Sequence, residues 1–265
     1  YGEDGNDSFY FDGAYINGKI IAGADNDTID IINSNIGNNF ELDGGTGDDS
    51  LQVIGNLAVA GEKIINMELI SVGNGGDPAT LTLTGSQLNL LKRSGHFSQL
   101  FVHKNSTLKF DTAAFTINFN DGIGLINQGT VDLRRAAAGT TVTLNGNYIG
   151  TATSKLLFNT VLGNDASLTD KIIINGNSSG QSAIFVTNKG GTGAQTVNGI
   201  TLVQISGNSD ANFSLGAPVQ VGGYEYFLHK VGKNWALKSQ KTDTNVTPTP
   251  TPTPSPTPTP TPTPT

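Results

Sequence analysis

The sequence GNDSFYF at residues 5–11 returns as NDTIDI at residues 26–31 and as DDSLQV at residues 48–53. In each segment an aspartate (Asp7, Asp27 or Asp49) precedes a hydroxyl residue and a stretch of alternating apolar residues. This alternation places apolar side chains on one face of a short strand, while the Gly, Asn and Asp residues before it favour a turn. The aspartates lie 20 and then 22 residues apart. A short strand cannot bury its inner face alone, so this period predicts the stacked coils of a parallel β-helix.

The alternating pattern continues along the chain with looser spacing, and the gaps between its members are rich in Gly, Asn, Asp and Thr. Its later members are Leu81–Leu83, Leu108–Phe110, Ile117–Phe119, Val131–Leu133, Val142–Leu144, Ile172–Ile174 and Ile184–Val186. We therefore predict an all-β solenoid of roughly eleven coils. Ser86–Arg93 is open to two interpretations, because Ser86 suits the N-cap of a short helix whereas Leu88 and Leu90 suit a strand.

The charge of the chain is uneven. Residues 1–68 contain thirteen acidic residues and two lysines, whereas the remainder has a small excess of Lys and Arg. The basic residues are scattered rather than clustered, so a nucleic-acid partner is excluded. Cysteine is absent from the sequence, which fits either a reducing compartment or an exported chain without disulfides.

The last residues form a segment of different composition. Residues 247–265 alternate Thr and Pro, broken once by Ser255. Proline fixes φ and removes backbone donors, so residues 241–265 are expected to form a disordered, extended linker. A linker at this position predicts that another module follows.

Residues from Asn127 to Lys238 resemble the C-terminal passenger region of pertactin-like bacterial autotransporters, the autochaperone or junction region. The motifs that carry the resemblance include INQGTV (126–131), LNGNYIG (144–150), SLTDK (167–171), IIINGN (172–177), GYEYFL (223–228) and NWAL (234–237). The resemblance implies a right-handed parallel β-helix, an outer-membrane β-barrel as the missing C-terminal partner, and a bacterial surface or secreted location. We divide the chain into acidic coils at 1–84, central coils at 85–126, an autochaperone-like region at 127–240 and the linker.

Large aromatic residues are concentrated where the last coil would end. These residues are Tyr224, Tyr226, Phe227 and the single tryptophan, Trp235. The last coil of a parallel stack exposes a strand edge and an apolar face unless something covers them. We predict that the four side chains form a folding cap; ordinary core packing is the alternative.

The segment GGTGDDSL at residues 44–51 resembles the calcium-binding nonapeptide of RTX proteins. Asp25, Asp27, Asp48 and Asp49 are the candidate calcium ligands, since stacking would place them along one edge. The related segments are about 20 residues apart rather than nine, so the shared geometry of that motif is missing. The alternative is that these residues make turns and that their charge keeps the protein soluble.

The sequence offers little for catalysis, and we expect no enzyme activity and no cofactor apart from the candidate calcium. His96, His103 and His229 form no metal-binding pair, and no Gly-x-Ser-x-Gly motif is present. Asp132 with Arg134 suits either an acidic-sugar site or a solvated ion pair. Gly190–Gly193 lacks the ending of a phosphate-binding loop and indicates a turn.

These features together predict the membrane-proximal stalk and autochaperone segment of a surface-displayed passenger, which promotes folding after export and supports adhesion to a host receptor, to matrix or to itself. One alternative is a secreted carbohydrate-binding or carbohydrate-active β-helix, in which Tyr10 or Tyr15 contacts sugar. The other is a calcium-binding protein of the RTX type.

Overall fold

In the computed structural model, which describes residues 1–91, 98–120 and 123–241, successive coils lie on one another as rungs of a parallel ladder. The first three coils contain β1 (Ser8–Asp12), β2 (Tyr15–Ile16), β3 (Lys19–Ile21), β4 (Thr28–Ile32), β5 (Asn35–Ile36), β6 (Glu41–Asp43), β7 (Ser50–Ala60), a 3-10 turn at Gly61–Lys63, and β8 (Ile64–Ile65). Ser8 pairs with Thr28, and Thr28 pairs with Ser50. Each step of the sequence repeat is therefore one coil, as predicted.

The next five coils are longer. They contain β9 (Leu69–Val72), β10 (Ala79–Thr84), β11 (Gln87–Leu90), β12 (Gln99–Val102), β13 (Thr107–Phe110), β14 (Ala114–Phe119), β15 (Gly124–Asn127), β16 (Thr130–Asp132), β17 (Thr141–Asn145), β18 (Tyr148–Gly150), β19 (Lys155–Thr160), β20 (Lys171–Ile174), β21 (Ser178–Ser179), β22 (Gln181–Asn188) and β23 (Ile200–Ile205). Leu69 pairs with Gln99, a step of 30 residues. The described residues thus form eight coils rather than the eleven expected, because the turns lengthen along the chain.

Three long sheets form the sides of the stack. The first sheet runs through β1, β4, β7, β9, β12, β15, β18 and β21, and the second through β7, β10, β13, β16, β19, β22 and a later strand, β24 (Asn212–Leu215). The third contains β11, β14, β17, β20 and β23. Strand β7 belongs to the first two sheets, so the corner between them lies near Gly55.

The core is made of columns of apolar side chains, one from each rung. In the second sheet the residues of one such column are paired directly and fully buried: Leu81, Leu108, Val131, Leu156 and Ile184. Burying one such side chain contributes roughly 1.5–3 kcal/mol. Each coil therefore gains most of its stability from the coil beside it, and the predicted all-β parallel β-helix is confirmed.

The predictions for residues 86–93 and for the C-terminal linker concern segments that the structure describes only in part. Gln87–Leu90 is a strand with Leu88 and Leu90 buried, so the strand interpretation is right and the helix is wrong. The packing of Leu88 and Leu90 into the core explains the outcome, since both would not face inward from a helix. Lys92, Arg93 and the linker beyond Lys241 lie outside the described residues, and the boundaries between the four segments remain predictions.

Candidate functional site

The third sheet ends in antiparallel strands at its C-terminal edge. Three further strands, β25 (Val219–Val221), β26 (Tyr224–Val231) and β27 (Asn234–Lys241), follow β24. Strand β27 pairs antiparallel with β23, and β26 pairs antiparallel with β27. The hairpin of β26 and β27, which we call the terminal hairpin, therefore covers the edge that the last parallel strand of this sheet would otherwise expose.

Three aromatic rings connect the terminal hairpin with the coils beneath it. Trp235 lies edge-on to Phe213 with ring centroids 5.5 Å apart, and Phe213 stacks on Tyr148 at 6.0 Å. Tyr148 is fully buried, and Trp235 is 9% exposed. Such aromatic pairs add to stability beyond the area that they bury. This aromatic column joins residues that are 22 and 65 positions apart in the sequence.

The buried hydroxyl of Tyr148 joins two coils. It lies 2.7 Å from Oγ of Ser182 and accepts a hydrogen bond from Nδ2 of Asn127 at 3.2 Å. Burial raises the pKa of Tyr148 to about 12, despite these hydrogen bonds. The phenol therefore stays protonated at neutral pH and acts as a fixed point of the packing.

Tyr226 fastens the terminal hairpin to two loops of earlier coils. Its side chain is 1% exposed. Its hydroxyl donates to the carbonyl oxygen of Gly163 at 2.9 Å and accepts from the backbone N–H of Ala194 at 3.0 Å. Burial raises the pKa of Tyr226. Nearby, Thr196 and Ser239 exchange hydrogen bonds, since each backbone N–H donates to the hydroxyl of the other residue, at 2.7 and 2.8 Å.

The four predicted cap residues are placed differently. Tyr226 and Trp235 face the core, and Tyr224 is partly buried against it. Phe227 faces outward and is 38% exposed, because it alternates with Tyr226 along β26. The hairpin thus brings two of the four side chains into the core, while a cap role for the set stays a prediction.

Sequence analysis missed two carboxylates that hold loops in the same region. Asp170 is fully buried and accepts hydrogen bonds from the backbone N–H groups of Gly139, Thr140 and Asn159 at 2.7–2.9 Å. Burial raises the pKa of Asp170, against the opposing effect of these hydrogen bonds. Asp170 lies within the SLTDK motif, but its partners precede it by 11 to 31 residues, so no local signal identified them.

Asp165 fastens the loop before β23. Its carboxylate accepts hydrogen bonds from the backbone N–H groups of Val197, Asn198 and Gly199 at 2.8–2.9 Å. These backbone hydrogen bonds, those from Asn198 and Gly199 first, lower the pKa of Asp165. Asp165 therefore positions β23, the strand against which the terminal hairpin packs. The three residues that donate to Asp165 lie 32 to 34 positions after it in the sequence, so no short motif contains both sides of the contact.

The aspartates of the N-terminal repeat form a ladder between coils. Asp27 accepts from the backbone N–H of Asp7 at 2.7 Å, Asp49 accepts from that of Asp27 at 2.8 Å, and Glu68 accepts from that of Asp49 at 2.7 Å. Asp27, Asp49 and Glu68 are all buried. Burial raises the pKa of Asp27, and the negative charges of Asp7 and Asp25 raise it further. The repeat therefore marks residues that tie each coil to the preceding one.

The candidate calcium ligands take part in hydrogen bonds between neighbouring coils. Asp25 accepts from the backbone N–H of Gly5 at 3.1 Å, and the backbone N–H of Asp48 donates to Oδ1 of Asn26 at 2.9 Å. Across the described ranges, no cluster of three or more His, Cys, Asp or Glu side chains has an arrangement able to hold a metal ion. These hydrogen bonds join neighbouring coils, and the calcium site stays a prediction.

The other candidate site residues are dispersed. Arg134 makes a bidentate pair with Asp132, at 2.8 and 3.0 Å, and this pairing raises the pKa of the guanidinium. His103 packs on Phe101 with ring centroids 4.2 Å apart, and burial lowers its pKa. His229 is exposed on β26, whereas His96 lies outside the described residues.

The aromatic residues of the sugar-binding alternative and the glycine run lie at the surface. Tyr10 and Tyr15 are 64% and 70% exposed, on β1 and β2. Gly190 and Gly193 adopt positive φ in the turn that follows β22, as the sequence indicated. Helices long and apolar enough to cross a membrane are absent from the residues that the structure describes.

The later coils and the first part of β26 are similar to a known protein family. Residues 102–228 match the family model Autochaperone Domain Type 1. The chain is 36% identical to Uncharacterized protein YuaQ of Escherichia coli K12 over 74% of its length and 13% of that protein. It is 43% identical to Autotransporter adhesin AIDA-I of Escherichia coli over 40% of its length and 9% of that protein. The predicted resemblance to autotransporter passengers is confirmed.

A solved structure also aligns with most of the chain. The Haemophilus influenzae Hap adhesin matches with a TM-score of 0.43 and 20% identity, over 89% of this chain and 24% of that one. The chain thus spans only a small part of the length of the curated relatives and of this structure.

Proposed function

We propose, from the match of residues 102–228 to the family model Autochaperone Domain Type 1, that the C-terminal coils of this chain start the folding of an autotransporter passenger after export. The terminal hairpin is the observation that supports the proposal. It covers the edge of β23 and holds Trp235 and Tyr226 against the core. Because the C-terminal end of the stack is closed, new coils are added at the N-terminal end.

Folding from this end follows from the energetics of stacking. Each coil buries its apolar residues against a neighbouring coil and hydrogen-bonds to it, so an isolated coil has little stability. The terminal hairpin differs, because its antiparallel strands are close in sequence and need little loop closure. Once the hairpin has formed, each preceding coil adds to an existing template. Growth of the stack outside the cell then opposes backward movement of the chain.

The single tryptophan makes this order measurable. Trp235 reports the terminal hairpin by fluorescence, whereas far-ultraviolet circular dichroism reports the whole ladder. During refolding from urea, the Trp235 signal should reach its native value before the dichroism does. A second protein with Trp235→Phe and Tyr15→Trp reports the first coil, and its fluorescence should change last. An N-terminal signal that precedes that of Trp235 would refute folding from the C-terminal end.

Variants of the hairpin test its role directly. Trp235→Ala and Tyr226→Ala should both slow refolding followed by circular dichroism, and both should lower surface display of the full-length protein. Tyr10→Ala is the matched control, because Tyr10 is an exposed aromatic residue of the first coil. Unchanged refolding rates for both hairpin variants would remove the proposal.

The location and the biological outcome follow from the passenger assignment. The chain is displayed at the bacterial surface or secreted, and an outer-membrane β-barrel that follows the Thr-Pro linker anchors it. We assign it a mechanical, non-enzymatic role as a stalk that supports adhesion to a host or matrix receptor. The name of AIDA-I, an autotransporter adhesin, supports the adhesive part. Binding of host cells by bacteria that express the full-length protein, compared with bacteria that lack it, tests this part.

A further inference from the structure

A furrow follows the corner between the first and second sheets. Its first part has a volume of about 390 Å³ and lies between Asn33, Gly55 and Asn105. Its second part, of about 250 Å³, lies between Asn105, Gln128 and Lys155. Asn105 lines both parts, so the two cavities are neighbours along the stack and meet at this residue.

A row of polar residues, one from each coil, follows the two cavities, and all of its members except Thr107 line one of them. The successive residues are paired directly across the second sheet: Asn56, Thr80, Thr107, Thr130 and Lys155. Strands in a sheet lie about 4.8 Å apart, so this row spans about 19 Å. The rise of one coil is close to the length of one sugar ring in an extended polysaccharide. An extended peptide repeats its side-chain direction only every 6.6–6.8 Å or so, which does not match the spacing of the coils.

The amide side chains in the furrow have free hydrogen-bonding capacity. On the third sheet, by contrast, asparagines bond to one another: Asn118 donates to Asn89 at 2.7 Å, and Asn145 donates to Asn118 at 2.6 Å. In the furrow, no hydrogen bond within the described parts of the chain uses the side-chain amides of Asn33, Asn56, Asn105 and Gln128. These amides can therefore donate to and accept from the hydroxyl groups of a ligand.

The charge in the second part of the furrow is positive. Lys104 and Lys155 line it, both are exposed, and its described lining contains no Asp or Glu. Asp77 lines the first part, where its carboxylate accepts a hydrogen bond from Nδ2 of Asn74 at 3.0 Å. In a chain with a net charge of −7, a local pair of lysines selects an anionic group.

We propose that this furrow binds an acidic polysaccharide. Sugar rings lie along the row from Asn56 to Lys155, the amides of Asn105 and Gln128 bond their hydroxyl groups, and Lys104 and Lys155 hold a carboxylate or sulfate. The inference gives the adhesive part of the proposed function a chemical class of ligand and rests on that part. It does not depend on the folding role of the terminal hairpin.

The test uses an oligogalacturonate as the probe, with neutral dextran and polyglutamate as comparison ligands. Binding to the folded chain is measured by isothermal titration calorimetry at low and at high salt. The double variant Lys104→Ala/Lys155→Ala should bind on the order of tenfold more weakly, and Gln128→Ala on the order of threefold more weakly. Lys189→Ala and Gln204→Ala are the matched controls, because both residues are exposed outside the furrow. They should bind like the wild type.

The outcomes distinguish sugar recognition in the furrow from attraction by charge alone. Binding of oligogalacturonate but not of dextran, weakened by the furrow variants alone, supports the proposal. Equal binding of polyglutamate would mean that charge rather than sugar is recognised, and it would overturn the proposal. So would an absence of oligogalacturonate binding, or equal losses in the control variants. The furrow variants should keep the native circular dichroism spectrum and the native refolding rate. A failure of the binding proposal can therefore be distinguished from a failure of the folding proposal.

Discussion

Replacement of Asp170 tests whether one buried carboxylate holds the loops of the autochaperone region. Asp170→Ala removes the acceptor for three backbone N–H groups, and two of these belong to the buried residues Thr140 and Asn159. A buried donor without a partner costs about 1–3 kcal/mol, so the two cost about 2–6 kcal/mol. Removing a carboxylate whose burial already disfavours its charged form offsets part of this cost. We expect a net loss of about 2–4 kcal/mol.

Asp170→Asn separates the hydrogen bonds from the charge. Asparagine keeps the oxygen that accepts from Gly139 and Thr140, but its NH₂ group faces the N–H of Asn159, where no hydrogen bond forms. The expected loss is about 1–3 kcal/mol, smaller than that of the alanine variant. Equilibrium unfolding in urea, followed by circular dichroism and by Trp235 fluorescence, measures both losses.

The effect of Asp170→Asn on stability should depend on pH in a defined direction. Burial raises the pKa of Asp170, so the folded state binds its proton more readily than the unfolded state, whose aspartate pKa is about 3.9. The contribution of Asp170 to wild-type stability therefore falls as the pH rises from about 3.9 through the higher folded pKa. Asp170→Asn does not titrate there, so its deficit should widen towards acid pH and narrow towards neutral pH.

The control for this experiment is Asp210→Ala, because Asp210 is an exposed aspartate of a later coil. It should stay within about 0.5 kcal/mol of the wild type. If Asp170→Ala also stays within that range, the three hydrogen bonds do not stabilise the loops, and the reasoning is refuted.

Three further substitutions have defined outcomes. Tyr226→Phe removes two hydrogen bonds of a buried hydroxyl and should lower the free energy of unfolding by about 1–3 kcal/mol in urea titrations. Tyr10→Phe is the control and should leave the free energy of unfolding unchanged. Asp27→Asn keeps an acceptor for the ladder but removes a carboxyl group whose pKa is raised by burial. The variant should therefore increase the melting temperature at pH 7 more than at pH 4. An equal change at both pH values would contradict this reasoning. Gly180→Ala places a methyl group 2.0 Å from the carbonyl oxygen of Gly150 at a φ of +77° and should cost at least about 1 kcal/mol; calorimetry that shows no loss would mean that the turn adjusts freely.

The fold was largely predictable because its signals are local. Alternating side chains and turn residues identify a strand within a few positions, and the repeat of Asp7, Asp27 and Asp49 gives the register of the first coils. The number of coils was not predictable in the same way. Turn residues do not report how far a loop extends before the next strand, so the lengthening of the later coils was missed.

The candidate site depended more on tertiary structure. The sequence indicated that Tyr226 and Trp235 belong to a special end of the stack, but it did not distinguish them from Phe227, which faces outward. The roles of Tyr148, Phe213 and Asp170 depend on partners that only the winding of the chain brings near. The resemblance to autotransporters located the region, whereas the contacts within it had no counterpart in any short motif.

The sequence by itself determined that the chain is a stack of parallel strands with a distinct C-terminal end, because strand periodicity and turn chemistry act over a few residues. Only the tertiary structure decided which side chains meet across coils. The ladder from Asp7 to Glu68, the aromatic column from Tyr148 to Trp235 and the furrow around Asn105 all join positions from different coils. Their alignment is set by the length of every intervening turn. The repeat of Asp7, Asp27 and Asp49 marks part of the ladder, whereas the partners in the aromatic column and in the furrow share no local pattern in the sequence.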